Sequence, residues 1–469
     1  MFKGRTSQGA SPTTSPRQYQ LRPVQLKRML RWAFFAACLT TFSIWLFFII
    51  GGKLQERKFF ADVQHRQAMG DKVLINDFIS IAPRDDQNAA TYILKAIDQL
   101  QLNPHQGWLI DDAENYRLSE EAKFFVAQYS REHPQIRALL QQAGSCPQVD
   151  WHVKWRSPAL DVHMPYLSRQ REFGRFLEAV GICEHEVGDD AAALRTAQEI
   201  FFLARAVDNG STVVGHLVAL ELEHMGDNLC LRLTGPLTSR AARHIGNFNA
   251  IAKPMIASLC DDPRFRSQFD AAIRGDRMVI VDSIIHLPIS KFEAFSSTDA
   301  LLEDYDQSIS AAAHLSWPAA APLLPSKPRK SEPDLAQALA PVLYRPFISE
   351  FSAEAERHAA AIAIACRLYV DDHDGEWPLD LSTLVPHYLP AIPCDPFDSQ
   401  LRPMKYLPGN PPAIYRVSTN GIDNHGDRAG ALSYKYGFYY DPWRSPDAVF
   451  PIGGVIGAAD KRPPEHGEQ

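Results

Sequence analysis

The feature that most constrains this chain is an uncharged apolar stretch near its start. Residues 32–50 read WAFFAACLTTFSIWLFFII and contain no charged side chain. As a helix rising about 1.5 Å per residue, this stretch is roughly 28 Å long, close to the thickness of a bilayer core. We therefore predict one transmembrane helix over residues 31–51, with the membrane contact made by residues 32–50.

The charges on either side of this stretch predict its orientation. Seven basic residues and no acidic residue precede it, whereas both signs are mixed in the segment that follows. The positive-inside rule then places the N-terminus in the cytoplasm and the bulk of the chain outside it. Residues 1–30 are predicted to be a disordered basic tail. A cleaved signal peptide is the alternative, but GGKLQERKFF offers no small-x-small cleavage site.

Together these features predict a single-pass signal-anchor protein of a bacterial inner membrane, with its bulk in the periplasm. The 469-residue chain is 45% hydrophobic and 22% charged, which is typical of a chain that mostly folds. Its net charge of −7 is too mild to indicate a nucleic-acid partner. The seven cysteines form no C-x-x-C pair and no zinc-site spacing, although one or two disulfides are compatible with an oxidising compartment.

Residues 55–315 are predicted to form a domain of packed α-helices, because apolar residues recur there with a helical period. Within it, residues 171–210 indicate a helical hairpin punctuated by Gly188, with Asp189 or Asp190 suited to cap the second helix. No fixed-period repeat is present, so a solenoid is not predicted.

Two groups of residues in this domain have the residue types of a metal site. Glu221 and His224 form an E-x-x-H pair, and Glu184 lies beside a histidine before a turn. A di-iron bundle needs a second such pair and further glutamates, which the sequence lacks. No nucleophile elbow, phosphate loop or dinucleotide fingerprint occurs either. We predict no catalytic residue, no residue that binds an organic cofactor and no small-molecule substrate, and hold a metal-dependent hydrolase built on these three residues as an alternative.

The remaining third of the chain is predicted to contain a linker, a module and a tail. Residues 316–341 are rich in proline and indicate a linker. Residues 342–448 are predicted to be a small α+β module, and residues 449–469 a disordered tail. The fold class expected for the whole chain is α+β, with one membrane helix, a mostly helical extracytoplasmic domain, and a C-terminal helix with a small antiparallel sheet.

The module begins with a long amphipathic helix and continues into short strands. The helix is predicted to end near Gly375, with Ala359, Ile362 and Cys366 on its apolar face. The β-rich pieces Met404–Leu407 and Ile414–Ser418 flank a PGNPP turn and are predicted to pair as a hairpin.

The order of these pieces resembles a known family. The segments LYVDDHDGEWP, DLSTLVPHYLPAIPCDPF, MKYL and IYRVSTNGIDNHGD together resemble the globular domain of the major pseudopilin of type II secretion, over about residues 350–440. The resemblance implies a helix packed on a small sheet and a loop that binds calcium. The chain lacks the family's Gly-Phe-Thr-Leu-x-Glu processing motif, and about 300 residues separate its membrane helix from the module. The rest of the chain resembles uncharacterised single-pass envelope proteins.

The loop is where the residues themselves agree with this resemblance. Calcium prefers six to eight oxygen ligands, and side-chain oxygens of this kind are crowded into eight residues here. An Asn-Gly hairpin turn on an acidic surface is the alternative, and the EF-hand pattern is absent. The predicted ligands of a structural calcium ion are Asn420, Asp423, Asn424 and Asp427.

The function predicted from the sequence is that of a non-enzymatic, membrane-anchored envelope protein. It has a helical domain for contacts with other envelope proteins and a calcium-stabilised pseudopilin-like module. One alternative is an accessory component of a type II secretion or pilus-like system that docks on pseudopilins. The other is the metal-dependent hydrolase named above.

Overall fold

A computed structural model describes most of the chain. It covers residues 23–111, 118–164, 166–210, 212–233, 245–260, 264–325, 335, 343–409, 412–427, 432–433, 439–440 and 447–453. The described part is mostly helical and carries a small antiparallel sheet, which agrees with the α+β class.

Thirteen α-helices lie in the described part of the chain. They are α1 (Pro23–Ala68), α2 (Ala89–Gln99), α3 (Pro104–Asp111), α4 (Glu120–Glu132), α5 (Gln135–Gly144), α6 (Tyr166–Glu186), α7 (Asp190–Asp208), α8 (Val213–Arg232), α9 (Ile245–Cys260), α10 (Arg264–Ile285), α11 (Lys291–Ala312), α12 (Trp317–Ala320) and α13 (Tyr344–Asp372). The strands are β1 (Lys405–Leu407), β2 (Ala413–Arg416), β3 (Leu432–Ser433), β4 (Tyr439–Tyr440) and β5 (Ala448–Pro451).

Among the described residues, α1 is the one helix long and apolar enough to cross a membrane, and its apolar stretch is not buried against the rest of the protein. It begins at Pro23, so the last eight residues of the predicted disordered tail are helical. Val24 to Leu30 hold no Gly or Pro and include the good helix formers Gln, Leu, Lys, Arg and Met, so nothing stops the helix there. Residues 1–22 lie outside the described residues.

The first helix also runs well past the predicted end of the membrane segment. It continues through Gly51 and Gly52 to Ala68, and its second half packs on α11. Phe59 and Val63 are buried there in a small apolar cluster with Phe295. The apolar stretch is therefore continuous, in one helix, with the folded domain.

Helices α6, α7 and α8 follow one another with short connections and pack together as the centre of the domain. Asp189 caps α7 as the sequence predicts, since its carboxylate accepts a hydrogen bond from the Ala192 amide at 3.0 Å. The helices approach closely where Gly174, Gly181 and Gly226 face neighbouring side chains.

Helix α13 packs on α8 and α9 and is buried on nearly every face, not on a single apolar face. Its residues share one hydrophobic core with residues from Ala89 in the helical region to Ile452 beyond the sheet. The helical region and the C-terminal region therefore fold around a common interior.

The predicted hairpin is confirmed by β1 and β2, which pair antiparallel with Tyr406 opposite Ile414. Strand β5 adds to the other side of β2. Residues 449–451 of the predicted disordered tail are therefore a strand, because Val449 and Phe450 bury their side chains and its backbone pairs with β2. Residues 454–469 lie outside the described residues. A second, two-stranded sheet is formed by β3 and β4.

Part of the predicted linker is packed as well. Trp317 and Leu324 are buried in a core with Phe351, and the Trp317 amide donates to the Pro396 carbonyl at 2.8 Å. A large indole gains too much from burial to remain in a solvated linker. Residues 326–334 and 336–341 of that linker lie outside the described residues.

All seven cysteines lie among the described residues, and none is bonded to another. Cys230 and Cys366 are buried in helices, as small apolar side chains are. Burial raises the pKa of Cys183 to about 12, so its thiol stays protonated at neutral pH.

Candidate functional site

The main concentration of buried charge lies where α8 meets α13. On α8, residues 216, 223 and 227 share one face at helical spacing, and on α13 residues 350 and 357 do the same. We call this cluster the ionic seam, and its members are Asp208, His216, Glu223, His224, Asp227, Asn228, Glu350, Glu356 and Arg357.

His216 lies between two carboxylates in the interior. Its Nδ1 is 2.8 Å from Asp208 Oδ1 and its Nε2 is 3.1 Å from Glu350 Oε2, with 1% of the side chain exposed. Burial by itself would lower the pKa of His216, but the two carboxylates outweigh it and raise that pKa to about 10. This histidine is therefore a cation at neutral pH and ties α8 to both α7 and α13.

Glu223 and Arg357 form the second pair of the seam, and both side chains are almost completely buried. Burial raises the pKa of Glu223 to about 7, although the Arg357 guanidinium opposes the shift. A buried pair of this kind is costly to break from one side, because the remaining charge has no water around it. It fixes the register of α8 against α13.

His224 is the member of the seam that solvent reaches. Its Nδ1 is 2.7 Å from Glu356 Oε2 and its Nε2 is 3.0 Å from Asn228 Nδ2. Burial opposes a charge on the ring, but the Glu356 carboxylate raises the pKa of His224 to about 9. The side chain is 41% exposed, so it can exchange its proton with water.

Asp227 completes the seam without a hydrogen bond in the described part of the chain. It is 1% exposed, and neither carboxyl oxygen has a partner there. Burial and the neighbouring Glu356 raise the pKa of Asp227 well above its ordinary value. The neutral, protonated form of this carboxyl group is therefore favoured in the folded protein to a higher pH than in the unfolded chain.

A further buried arginine extends the pairing along α13. Arg367 Nη2 is 3.1 Å from Asp190 Oδ2 at the start of α7, and its Nε is 2.9 Å from Asp371 Oδ1. Its Nη1 donates to the Leu233 carbonyl at 2.6 Å, just beyond α8. One side chain thus joins three helices.

The residues suggested for a hydrolase site do not share partners. Glu221 pairs with Arg171 and Arg175, while Glu184 accepts a hydrogen bond from Thr196 and His224 pairs with Glu356. Across the described ranges, no group of three or more His, Cys, Asp or Glu side chains is arranged to hold a metal ion. Each of the three candidate residues therefore makes its own structural contacts, with different partners.

The four predicted calcium ligands lie on one loop after β2. The side chains of three of them make hydrogen bonds to the backbone of this same loop. Asn420 Oδ1 accepts the Ile422 amide at 2.9 Å, and Asp423 Oδ1 accepts the His425 amide at 2.9 Å. Asn424 Nδ2 donates to the Ile422 carbonyl at 3.3 Å. These are local turns of the kind that Asn and Asp side chains make.

A residue outside the predicted set closes this loop. The buried carboxylate of Asp447, just before β5, accepts the amides of Asn424 and Gly426, each at 2.9 Å. Gly426 has φ of 75°, and a Cβ there would lie 2.4 Å from Leu407, so the tight turn requires glycine. Asp427 contributes to the turn through its backbone, because its amide donates a hydrogen bond to the Asn424 carbonyl at 3.2 Å.

This arrangement does not itself fit a calcium site. The amides of the loop point at the Asp447 carboxylate, whereas calcium needs oxygens converging on one point. Lys405 Nζ also lies 3.8 Å from Asp423 Oδ2 and competes for that carboxylate. The calcium ion stays a prediction of the sequence resemblance, to be tested by melting.

Sequence reasoning missed most of the ionic seam. It did not single out Asp208, His216, Glu350, Glu356 or Arg357. The signal was present in α13, where charged residues interrupt an otherwise Ala- and Ile-rich helix. Charged residues on such a helix are expected to lie on a solvated face unless another helix is known to cover them.

No relative of this chain was found among known families, curated proteins or solved structures. Its function is therefore argued from its own residues.

Proposed function

We propose that this protein is a non-enzymatic, single-pass envelope protein that presents a helical domain for protein contacts at the outer surface of the cytoplasmic membrane. Its pseudopilin-like region is built into the same core, which supports one rigid body over two loosely joined ones. The cytoplasmic N-terminus and the extracytoplasmic domain follow from the charge asymmetry around residues 32–50.

The observation that carries this proposal is the continuity of α1. In the described part of the chain its apolar half is exposed apart from the contact of Phe47 and Phe48 with Phe292, and its second half is held against α11 by Lys58–Asp299 and Arg66–Asp306 pairs. An exposed apolar stretch of this length needs lipid around it. A domain fixed to such a helix without a hinge is held at a defined height and orientation.

The ionic seam supports a structural, non-enzymatic role for the centre of the domain. The side chains of His216, Glu223 and Arg357 are almost completely buried and each has a charged partner. Buried ion pairs of this kind hold helices together, and a substrate could reach little of their surface.

Membrane anchoring is tested by carbonate extraction of the full chain from native membranes. The wild-type protein should stay in the pellet. Ile44→Arg, in the middle of the apolar stretch, should move it toward the soluble fraction, because a central arginine costs about 2.5–3.5 kcal/mol of insertion. Leu54→Arg is the matched control, since Leu54 is exposed just beyond that stretch. Extraction of the wild-type chain would overturn the anchor.

Protein contact is tested by crosslinking in native membranes followed by affinity capture of the full chain. One envelope protein should be crosslinked reproducibly and lost when the domain is unfolded before crosslinking. Capture of a pseudopilin would favour the secretion-system alternative. Turnover of a small-molecule substrate by the purified chain would contradict the non-enzymatic role.

A further inference from the structure

The turn between α10 and α11 lies at the level where the membrane segment ends. The ring of Phe292 contacts Phe47 and Phe48, with ring centroids 6.0 and 5.8 Å apart. Both of those residues belong to the apolar stretch 32–50. A Cβ added at Gly51 would lie 3.0 Å from the same ring.

The direction of α11 follows from its other contacts with α1. The paired residues Lys58–Asp299 and Arg66–Asp306 are separated by 241 and 240 positions in the chain. A constant separation means that the two helices run in parallel. The start of α11 at Lys291 is therefore its membrane end, and the turn that precedes it, residues 286–290, lies nearer still to the bilayer.

The composition of this turn suits a lipid surface. Residues 286–292 read HLPISKF and contain no acidic residue. Leu287 is 40% exposed at the tip of the turn. Lys291 is also exposed, and its ammonium group pairs with Glu56 Oε1 on α1 at 2.7 Å. Apolar side chains next to a charged group are typical of segments that bury their apolar face at the headgroup boundary and leave the charged group at its surface.

We propose that residues 286–292 form a second membrane contact, in which Leu287 and Phe292 enter the interfacial layer of the leaflet that faces the domain and the Lys291–Glu56 pair lies at the level of the lipid headgroups. This contact rests on the proposed anchoring by α1 and adds to it. It fixes the domain at two points, so the domain is held against rotation about the axis of α1.

The test places a photoreactive benzoylphenylalanine in the full chain, in membranes of native lipid composition, and identifies the adducts by mass spectrometry. The photoreactive residue replaces Leu287 in one variant and Ser290 in a second. The second variant still tests the contact if the first substitution disturbs folding, and the reverse. Phe42 in the apolar stretch is the lipid-exposed reference, and Leu379, which is 83% exposed on a distant loop, is the aqueous control.

Lipid adducts should form at position 287 or 290, at a yield on the order of ten times that at 379, because acyl chains are confined to the bilayer. Lipid adducts at 42 with none at 287 or 290 would overturn the second contact and leave the anchor standing. Adducts at 287 and 290 with protein alone would do the same. Absence of lipid adducts at 42 would overturn the anchor itself.

Discussion

Asp227 lies inside the ionic seam, where its carboxyl group makes no hydrogen bond within the described residues. Its pKa is raised above the unfolded value, so the folded protein must keep a proton that the unfolded chain releases. Stability linked to this group is complete below about pH 4 and falls as the pH rises toward the folded pKa.

Asp227→Asn should therefore raise the melting temperature at neutral pH, because the amide needs no proton to be neutral. The gain should shrink as the pH falls toward about 4, where the carboxyl group is protonated in both states. Thermal melting of the full chain in detergent at several pH values measures it. Glu376→Gln, at an exposed position, is the control and should change little. A loss of stability at neutral pH would show that Asp227 is ionised and paired.

The pKa of His216 is also raised, so its contribution to stability changes with pH in the same direction. Its pKa is raised by Asp208 and Glu350 to about 10 from an ordinary 6.5, so it stabilises the fold fully below about pH 6.5. That stabilisation declines as the pH rises and is lost above about 10.

His216→Gln should lower the free energy of unfolding by about 3–5 kcal/mol near neutral pH, since it leaves two buried carboxylates without their cation. The difference between wild type and variant should be smaller at alkaline pH. Chemical denaturation of the full chain in detergent measures it, with His163→Gln at an exposed position as control. An equal difference at all pH values would contradict a charged His216.

At the scale of elements, the contact between α7 and α8 depends on a glycine. A Cβ at Gly226 would lie 2.8 Å from two atoms of the Phe201 ring, which is itself packed in the core. Alanine is a better helix former by about 1 kcal/mol, but overpacking against a buried ring costs more.

Gly226→Ala should therefore destabilise the protein by about 1–3 kcal/mol in spite of its gain in helix propensity. Gly144→Ala is the matched control, because a Cβ there meets nothing within 4 Å. That variant should be neutral or slightly stabilised. Equal effects of the two substitutions in thermal melting would argue that α7 and α8 are not in close contact.

The loop after β2 is the second element whose construction can be tested. The sequence resemblance predicts that EDTA lowers the melting temperature of the full chain and that calcium restores it, whereas closure by Asp447 alone predicts no change. Asp423→Asn would remove the calcium effect, while Asp447→Asn should destabilise the loop with or without calcium, by about 1–3 kcal/mol for its unpaired amides.

At the scale of the whole molecule, Arg277 connects the end of α1 to the rest of the domain. Its fully buried guanidinium contacts Asp71 just after α1 at 2.7 Å and Asp306 on α11 at 3.3 Å. Burial would raise the pKa of Asp71, but Arg277 outweighs it and lowers that pKa, so this contact stabilises above about pH 4 and is lost in acid.

Arg277→Met should lower the free energy of unfolding by about 3–5 kcal/mol and open the region after α1 to proteases. Limited proteolysis of membranes containing the full chain should then cut within residues 69–80, whereas the wild type and Arg131→Met, at an exposed position, should resist. Resistance in Arg277→Met would mean that apolar packing alone holds α1 on the domain.

The sequence by itself determined the features that depend on nearest neighbours along the chain. The apolar stretch, the Asp189 cap and the hairpin of β1 and β2 each follow from local composition and turn chemistry, and the structure contains all three. The membrane orientation and the calcium ion at the loop after β2 also rest on local sequence patterns, and both stay predictions.

Only the tertiary structure decided which charges are buried and which segments share a core. Glu350 and Arg357 look like the polar face of an amphipathic helix until α8 covers them. The start of the predicted tail forms β5 because its backbone pairs with the free side of β2. Phe292 packs on Phe47 and Phe48 at the end of the apolar stretch of α1. The physical reason is the same in each case: burial and pairing depend on partners more than a hundred residues away in one case and about 240 in another, and no local pattern encodes them.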